Sequence, residues 1–502
     1  MFTLSSCSED AMDEINNDVD HPTDVLAKFI LAQVITSTAF SNEGGDINTY
    51  LAGYVEHEVG VHNQLWSSEH RDGQPSVSST FNNNWGSIYT TLKDARIIIN
   101  KCSEGGSEST NKVTKGIAEV LAAYNAALLT DMFGDVPFTE SAVVTETGAP
   151  QFMNPKIDKQ EDIYKAIIQY LDNAIADLQG TDATPLRDYD FIYGGNAAKW
   201  TKLAYGLKAR YTMRLLKKAS NPEAELNKVL DYVSQSFTSA GEQAAYAVYD
   251  AMQLNPLFDF QWSRDALGAS QSLADKLEVR NDPRIRRIFI DADLVQMTGS
   301  DDEAWFPAPN GKSEQAQYYY NTSAFVYSQT APTLLQSYHE ILFLKAEALV
   351  RLNRISEAEA VLKDAVIAGI ANTEVNVQAA FVSPNAAAYL EETTDAITPE
   401  EAAEYFNKDV KPLFAANPLK ETAVQKYLAF HGASGESPEA YNDIRRYKAL
   451  GEDLIELANP LRFPLRLPYG NSDTTTNPEV AAAYGDGQYV YTEPVWWAGG
   501  TR

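Results

Sequence analysis

The stretch SYHEILFLKAEALVRLNRISEAEAVLKDAVIAGI, at residues 337–370, constrains the fold more than any other part of the chain. Its apolar residues recur every three or four positions, which is the spacing of one face of an α-helix. A short turn at 353–355 interrupts the pattern, and Ser356 with Glu359 has the spacing of a capping box that starts a second helix. Two helices joined by so short a turn must run antiparallel, so the stretch predicts a helical hairpin.

The same spacing continues along much of the chain. It predicts helices over 22–38, 47–65, 80–101, 113–132, 158–178 and 199–218. Asp158, followed three residues later by Glu161, is predicted to cap the fifth of these helices. Trp85 and Trp200 lie on apolar stripes and are predicted to be core residues. The predicted fold class is therefore mainly α.

The 337–370 hairpin resembles a tetratricopeptide-like unit, because small residues such as Ala346 and Ala358 let its two helices approach closely. No clean repeat of roughly 34 residues occurs elsewhere, so an array of such units would be degenerate.

Two segments lack the helical pattern and are instead rich in Pro, Gly, Asn and aromatic residues, at about 236–332 and about 461–502. An irregular layer of this length is typical either of a functional surface or of the cover of a core. Together with a helical scaffold at about 22–235 and 333–460, these segments are predicted to form one domain over 22–502.

Acidic residues outnumber basic ones, 69 to 40, and give a formal net charge of −29. Such a charge repels phosphate backbones and anionic lipid, so nucleic acid is not an expected partner. No run of about 18 apolar residues occurs, so no transmembrane helix is predicted. The two cysteines, Cys7 and Cys102, are too few for a disulfide framework.

The N-terminal segment 1–21 has the pattern of an anchored tether. Residues 8–21 are rich in acidic side chains and contain no Lys or Arg, so they are predicted to be flexible. Before them, Leu4-Ser5-Ser6-Cys7 resembles a bacterial lipobox, in which the cysteine becomes the acylated N-terminus. The basic and apolar parts of a signal peptide are largely missing ahead of it. We therefore expect Cys7 to carry a lipid anchor.

Catalytic and metal-binding motifs are incomplete. His57 and His62 are five positions apart, whereas a zinc-protease helix needs four. Gly311-Lys312-Ser313 lacks the upstream glycine of a phosphate loop. We predict no enzymatic activity, no cofactor and no metal site. A carboxylate pair for glycoside hydrolysis stays open as an alternative, because the sequence marks none out among 69 acidic residues.

Several of these segments resemble the SusD/RagB family of bacterial outer-membrane lipoproteins, in particular its SusD-like branch. The matching stretches are DMFGDVPFTE (131–140), KWTKLAYGLKARYTMRL (199–215), NPLF (255–258), RNDPRI (280–285), SYHEILFLKAEA (337–348), YNDIRRYK (441–448), NPEV (477–480) and VWW (495–497). They follow the family's order over nearly the whole chain. Tyr441 departs from the pattern, since tryptophan is frequent there.

The resemblance implies a mainly α fold, an alpha-alpha superhelix with tetratricopeptide-like helix pairs that support an irregular, loop-rich layer. It also implies a non-enzymatic, cell-surface nutrient-binding lipoprotein of Bacteroidota. It implies that the protein captures an oligosaccharide, or in some members a peptide, and delivers it to a SusC-like TonB-dependent transporter of the outer membrane. The lipid anchor of the family fits Cys7, and Ser8-Glu9-Asp10 resembles the acidic signal that directs such lipoproteins to the outer surface. The membrane would then be contacted through the anchor alone.

A sugar site needs flat exposed aromatic rings beside polar groups that can donate or accept two hydrogen bonds. Aromatic residues off the helical stripes, with their polar neighbours, are therefore the candidate ligand-binding residues. They are Trp66, Arg71, Asp72, Trp262, Arg264, Trp305, Phe306, Tyr318, Tyr319 and Tyr320. Their identities do not determine which glycan or peptide would bind.

Other conspicuous residues are assigned structural roles. Asp443, Arg445 and Arg446 are predicted to make salt bridges that orient neighbouring elements. Trp496 and Trp497 are predicted to seal the core. Two further functions stay open: a helical-repeat scaffold that binds only protein, which the loop aromatics disfavour, and a surface hydrolase, which the missing catalytic pattern disfavours.

Overall fold

The computed structural model describes residues 25–71, 80–145, 148–290, 306–312, 314–315, 317, 319–385, 390, 392–485 and 488–502. The fold is mainly α-helical, as predicted. The helices of the first half are α1 (Ala27–Thr36), α2 (Asp46–Tyr54), α3 (Asn63–His70), α4 (Thr80–Cys102), α5 (Lys112–Phe133), α6 (Gln160–Asp177), α7 (Ala197–Arg214), α8 (Pro222–Val233), α9 (Pro256–Arg264), α10 (Gln271–Glu278) and α11 (Ile285–Ile288). Those of the second half are α12 (Tyr338–Arg351), α13 (Ile355–Phe381), α14 (Pro399–Tyr405), α15 (Lys411–Ala416), α16 (Pro418–Ala429), α17 (Ser437–Leu450), α18 (Asn471–Thr476) and α19 (Pro478–Tyr484).

Short antiparallel strand pairs connect parts of the chain that are distant in sequence. The strands are β1 (Glu58–Gly60), β2 (Val136–Pro137), β3 (Ile157–Asp158), β4 (Ala244–Tyr246), β5 (Leu267–Ala269), β6 (Phe289–Ile290), β7 (Thr322–Ser323) and β8 (Thr333–Gln336). They pair as β1 with β5, β2 with β3, β4 with β8, and β6 with β7. The segment 236–332 therefore holds four of these strands as well as α9 to α11.

Helix α5 forms the centre of the N-terminal half. Nearly every residue from Val113 to Phe133 is buried, and α4 and α6 pack against it. A helix that is apolar on all sides must lie inside a protein. Trp85 on α4 and Trp200 on α7 are also fully buried, which confirms their predicted place in the core.

The predicted helical hairpin is formed by α12 and α13, which pack tightly against each other. The predicted capping box is wrong, because α13 already begins at Ile355 and Ser356 lies inside it without a capping hydrogen bond. The turn is instead closed by Asn353, whose φ of 58° lies in the left-handed region. The side chain of Glu359 binds Lys411 of α15, with Nζ 2.6 Å from Oε1.

The predicted cap at Asp158 is also wrong. Lys159 precedes the first turn of α6 and no side chain caps it. The carboxylate of Asp158 instead accepts the backbone N–H groups of Phe138 and Thr139, both at 2.9 Å, beside the β2–β3 pair. The carboxylate that the local pattern assigned to the start of α6 therefore accepts hydrogen bonds from another part of the chain instead.

The helix predicted over 47–65 is interrupted. Helix α2 ends at Tyr54, β1 follows, and α3 begins at Asn63. The break is at Glu56, which has a φ of 65° and accepts the backbone N–H groups of Ala458 and Asn459 at 2.8 and 2.7 Å. This break frees residues 58–60 to pair with β5, and that pairing positions the candidate site.

Buried ion pairs join the helices of the C-terminal half. Arg446 on α17 donates two hydrogen bonds to the carboxylate of Glu347 on α12, at 2.6 and 2.7 Å. Arg445 donates to the backbone carbonyls of Leu465 and Asp131. Trp497 is fully buried and its indole N–H donates to the Asp131 side chain. The predicted salt bridges of Asp443 and Arg446 and the predicted core position of Trp497 are thus confirmed. Arg445 makes no salt bridge to a described residue, because its guanidinium donates to backbone carbonyls instead, and Trp496 is only half-buried.

Candidate functional site

Several backbone segments meet at β1 and β5 and form the frame of the candidate site. Ala308 donates its N–H to Ala269 at 2.8 Å, and Ala269 donates to Asn321, also at 2.8 Å. Asn321 in turn donates to Phe306 at 3.0 Å. On the other edge of β5, Gly60 of β1 pairs with Leu267. The frame therefore fixes the backbone of 306–308 beside that of 319–321.

Three aromatic side chains stand on this frame, and we call Phe306, Tyr319 and Tyr320 the aromatic shelf. The Phe306 ring stacks on Tyr320 with centroids 5.3 Å apart and meets Tyr319 edge-on at 5.2 Å. Phe306 is 48% exposed and Tyr319 is 55% exposed, whereas Tyr320 is only 5% exposed. The buried ring packs with Val59 and Val61, so it supports the two exposed rings from below.

Trp262 and Arg264 lie near the C-terminal end of α9, and a hydrogen bond from Gln317 joins that end to the chain segment that carries the shelf. Trp262 is 43% exposed and stacks on Phe258 at 5.4 Å with nearly parallel rings. The Arg264 guanidinium lies 4.7 Å from the centroid of the Phe260 ring. The side-chain amide of Gln317 donates to the Arg264 carbonyl at 3.0 Å. This hydrogen bond joins the end of α9 to the stretch 306–321, which carries the shelf and which we call the shelf segment.

Trp66 and Arg71 belong to α3 and its end, and their environments differ. Trp66 is half-buried, with its ring centroid 4.2 Å from that of His70. Arg71 is buried and donates to the carbonyls of Tyr54 and Arg462, both at 3.4 Å. Its guanidinium is thus directed into the protein interior. A different residue of α3 makes the contact with the segment that carries the shelf.

That residue is Glu69, which sequence reasoning did not single out. Its carboxylate accepts the N–H of Gly311 at 2.6 Å and the amide of Asn459 at 3.1 Å, so it links α3 to the shelf segment. Burial raises the pKa of Glu69 to about 7, although Arg71 nearby lowers it. No local sequence pattern signals this contact, because both of its partners are distant from Glu69 in the chain.

A polar groove of about 350 Å³ lies on the other side of Arg264. Its wall combines Asp46, Asn83 and Asn84 with the edge of Phe40. The Oδ1 atom of Asn84 is buried and has no hydrogen-bond partner among the residues that the structure describes, so it can accept a hydrogen bond from a bound molecule or water. Burial raises the pKa of Asp46, and Arg264 opposes that rise. The run Asn82-Asn83-Asn84 was the available sequence signal for this groove.

Four predicted residues lie outside the described part of the chain. They are Cys7, Asp72, Trp305 and Tyr318.

Within the described ranges, no three His, Cys, Asp or Glu side chains are grouped so that they could hold a metal ion. Among the same residues, no helix has both the length and the apolar character needed to cross a bilayer.

A family model described as "SusD-like_2: Starch-binding associating with outer membrane" matches residues 21–469. The chain belongs to the SusD-like family. Proteins of this family are associated with the outer membrane and are generally non-catalytic, and the present chain is a SusD-like surface nutrient-binding protein. The helical, tetratricopeptide-like architecture is that of the family.

Solved structures agree with this assignment. A SusD/RagB family protein from Bacteroides thetaiotaomicron is 54% identical, with a TM-score of 0.91 over 95% of this SusD-like chain and 100% of the other. A chitin-binding protein shares the fold at 22% identity and a TM-score of 0.72, over 94% and 99% of the two chains. A SusD homologue from Bacteroides fragilis shares it at 19% identity and 0.71, over 94% and 100%. A search of curated proteins found no match.

Proposed function

We propose that this SusD-like protein captures an oligosaccharide on the aromatic shelf and delivers it to a SusC-like TonB-dependent transporter. The observation that carries the proposal is the pair of exposed rings, Phe306 and Tyr319, held in place by buried Tyr320. Exposed aromatic side chains that cluster on one surface indicate a binding site, because exposed rings contribute little to the packing of the core. Their flat faces match the C–H faces of sugar rings.

Polar groups around the shelf supply the hydrogen bonds that hydroxyl groups require. Arg264 is exposed between the shelf segment and the groove, and Asn83 is exposed on the groove wall. A guanidinium and a side-chain amide can each make two hydrogen bonds to adjacent hydroxyl groups. Trp262 offers a further exposed ring on α9. We include Trp66, Asp72, Trp305 and Tyr318 in the proposed site.

The place of action follows from the family and from the N-terminal pattern. We propose that Cys7 is acylated, that the acidic segment 8–21 is a tether, and that the protein acts as a lid on its transporter at the cell surface. An acyl anchor holds a globular domain at a membrane without a spanning helix. The family assignment to the outer membrane supports this location.

The test is oligosaccharide binding by variants of the shelf. A panel of oligosaccharides would first be screened by isothermal titration calorimetry. With a bound member, Phe306→Ala and Tyr319→Ala should each lower affinity by about tenfold, because each removes one stacking face. Both residues are half exposed, so thermal stability should stay close to that of the parent protein.

Phe152→Ala is the matched control, because Phe152 is also an exposed phenylalanine and lies outside the shelf. Its affinity for the same oligosaccharide should equal that of the parent. If both shelf variants bind as well as the Phe152 variant does, the shelf is not the ligand site.

A further inference from the structure

A second cavity, of about 430 Å³, lies between α10, α16 and the segment 454–458. Its volume falls in the range of about 300–1,000 Å³ that is typical of small-molecule sites. Apolar side chains line part of it, among them Val424 and Leu457. Three cationic side chains line it as well, together with the carboxylates of Asp275 and Glu456, although the chain as a whole carries a net charge of −29. The cationic residues are Lys276, Arg280 and Lys420.

Two of the three cations already have carboxylate partners. Arg280 donates two hydrogen bonds to the buried carboxylate of Glu421, at 3.1 and 2.9 Å. Lys420 contacts Glu456 at 2.6 Å, and both of these side chains are solvent-exposed. Neither pair leaves a net positive charge for a ligand.

Lys276 is different, because its ammonium group is held only by neutral partners. Its Nζ atom donates to the backbone carbonyl of Ser272 at 3.1 Å and to the hydroxyl of the same residue at 2.6 Å. The ring of Tyr427 is 5.7 Å away. An ammonium group has three N–H donors, and within the described ranges the third has no acceptor and no carboxylate lies within 4.0 Å of Nζ.

Charges farther away compensate Lys276 only in part. Burial lowers its pKa, while the carboxylates of Glu56, Asp275 and Glu456 oppose that change and Arg280 adds to it. Asp275 is itself bonded to the amide of Gln271 at 2.6 Å. The wall of the cavity therefore holds one partly desolvated ammonium group that, among the described residues, has no carboxylate in direct contact.

We propose that this cavity is a second ligand site, which binds the carboxylate of a small organic acid on the Lys276 ammonium. A carboxylate supplies the direct acceptor that the third N–H of Lys276 lacks, whereas a phosphate dianion would place a second negative charge beside Asp275 and Glu456. The apolar side of the ligand would lie against Val424 and Leu457. An acidic sugar and an acylated amino acid both carry this chemistry.

The site shares no residue with the aromatic shelf, so it stands or falls independently of the proposed function. Calorimetry with D-glucuronate, N-acetyl-L-alanine and D-glucose tests it directly when the protein carries Phe306→Ala and Tyr319→Ala together, because the aromatic shelf then contributes no binding. Saturable binding of either carboxylate at up to millimolar concentration, without binding of glucose, supports the site. Binding of glucuronate alone identifies an acidic sugar, and binding of acetylalanine alone identifies an amino-acid derivative. Binding of neither acid, or equal binding of glucose, overturns the proposal.

Lys276→Met should weaken binding of the successful probe by about tenfold or more, because it removes the charged donor. Lys411→Met is the matched control, since Lys411 is an exposed lysine that pairs with Glu359 outside the cavity, and its affinity should change by less than about threefold. Should Lys276→Met fail to fold, Leu457→Glu places a carboxylate in the cavity and should abolish binding. Unchanged affinity in the Lys276 variant, or in the Leu457 variant where the first does not fold, rules the site out.

Discussion

Two buried ionisable residues of this protein have protonation states that the distance between them would not indicate. His431 lies 3.1 Å from the carboxylate of Glu58, which is the geometry of an ion pair. Burial raises the pKa of Glu58 to about 8 and lowers that of His431 to about 3. At neutral pH the two therefore form a hydrogen bond between uncharged groups. The residues are far apart in sequence, so no sequence pattern could have revealed the pair.

Glu58→Gln tests this description through the pH dependence of stability. The folded pKa of about 8 exceeds the ordinary value of 4.5, so the folded carboxyl keeps its proton between those values while the unfolded one loses it. This group therefore makes the folded state less stable as pH rises from 4.5 to 8. Glutamine removes that term, and urea unfolding should show the variant gaining a few kcal/mol over the parent across the window.

Glu161→Gln, at an exposed position on α6, serves as the control and should keep the pH dependence of the parent. A Glu58 variant whose stability follows the parent at every pH would show that Glu58 is ionised in the folded protein.

At the scale of elements, apolar spacing was a good guide to where helices lie and a poor guide to where they end. Helices α4 and α5 match their predicted ranges closely because their interior residues are buried along one or all faces. The ends depend on partners from elsewhere in the chain. Asp158 and Glu56 both use their carboxylates to bind distant backbone N–H groups, and a sequence window contains neither partner.

The contact between α12 and α17 gives a test at this scale. Arg446→Met should lower the free energy of unfolding by about 3–5 kcal/mol, because it leaves the Glu347 carboxylate buried without its bidentate partner. Arg354→Met removes an arginine that pairs with Glu357 on the exposed end of α13, and it should change stability very little. Equal effects of the two substitutions in urea unfolding would show that the buried pair does not join the helices.

For the whole molecule, the helical class and the family could be predicted from the sequence, because both depend on patterns that run along most of the chain. The candidate site could be predicted only as a set of residue types. Phe306 and Tyr319 were found because aromatic residues in a polar loop stand out. Glu69 and Asn84 were missed because their roles depend on segments that meet only after folding.

The lipid anchor is the prediction that concerns the whole molecule. In a Bacteroidota host, and behind a complete signal peptide, Cys7→Ala should move the protein from the membrane fraction to the soluble fraction, because no other membrane attachment is expected. Cys102→Ala, at the chain's other cysteine, should leave the protein in the membrane fraction. Retention of the Cys7 variant in membranes would show that attachment depends on something else, such as the transporter.

The frame beneath the shelf joins strands that lie more than 200 positions apart, since Glu58 pairs with Ala269. Contacts of such long range close late during folding, because a large loop must be ordered before they form. No fragment that lacks either strand can display the exposed rings in their native arrangement. If the shelf binds an oligosaccharide as proposed, the fraction of a preparation that binds it would therefore measure how many molecules have completed their long-range folding.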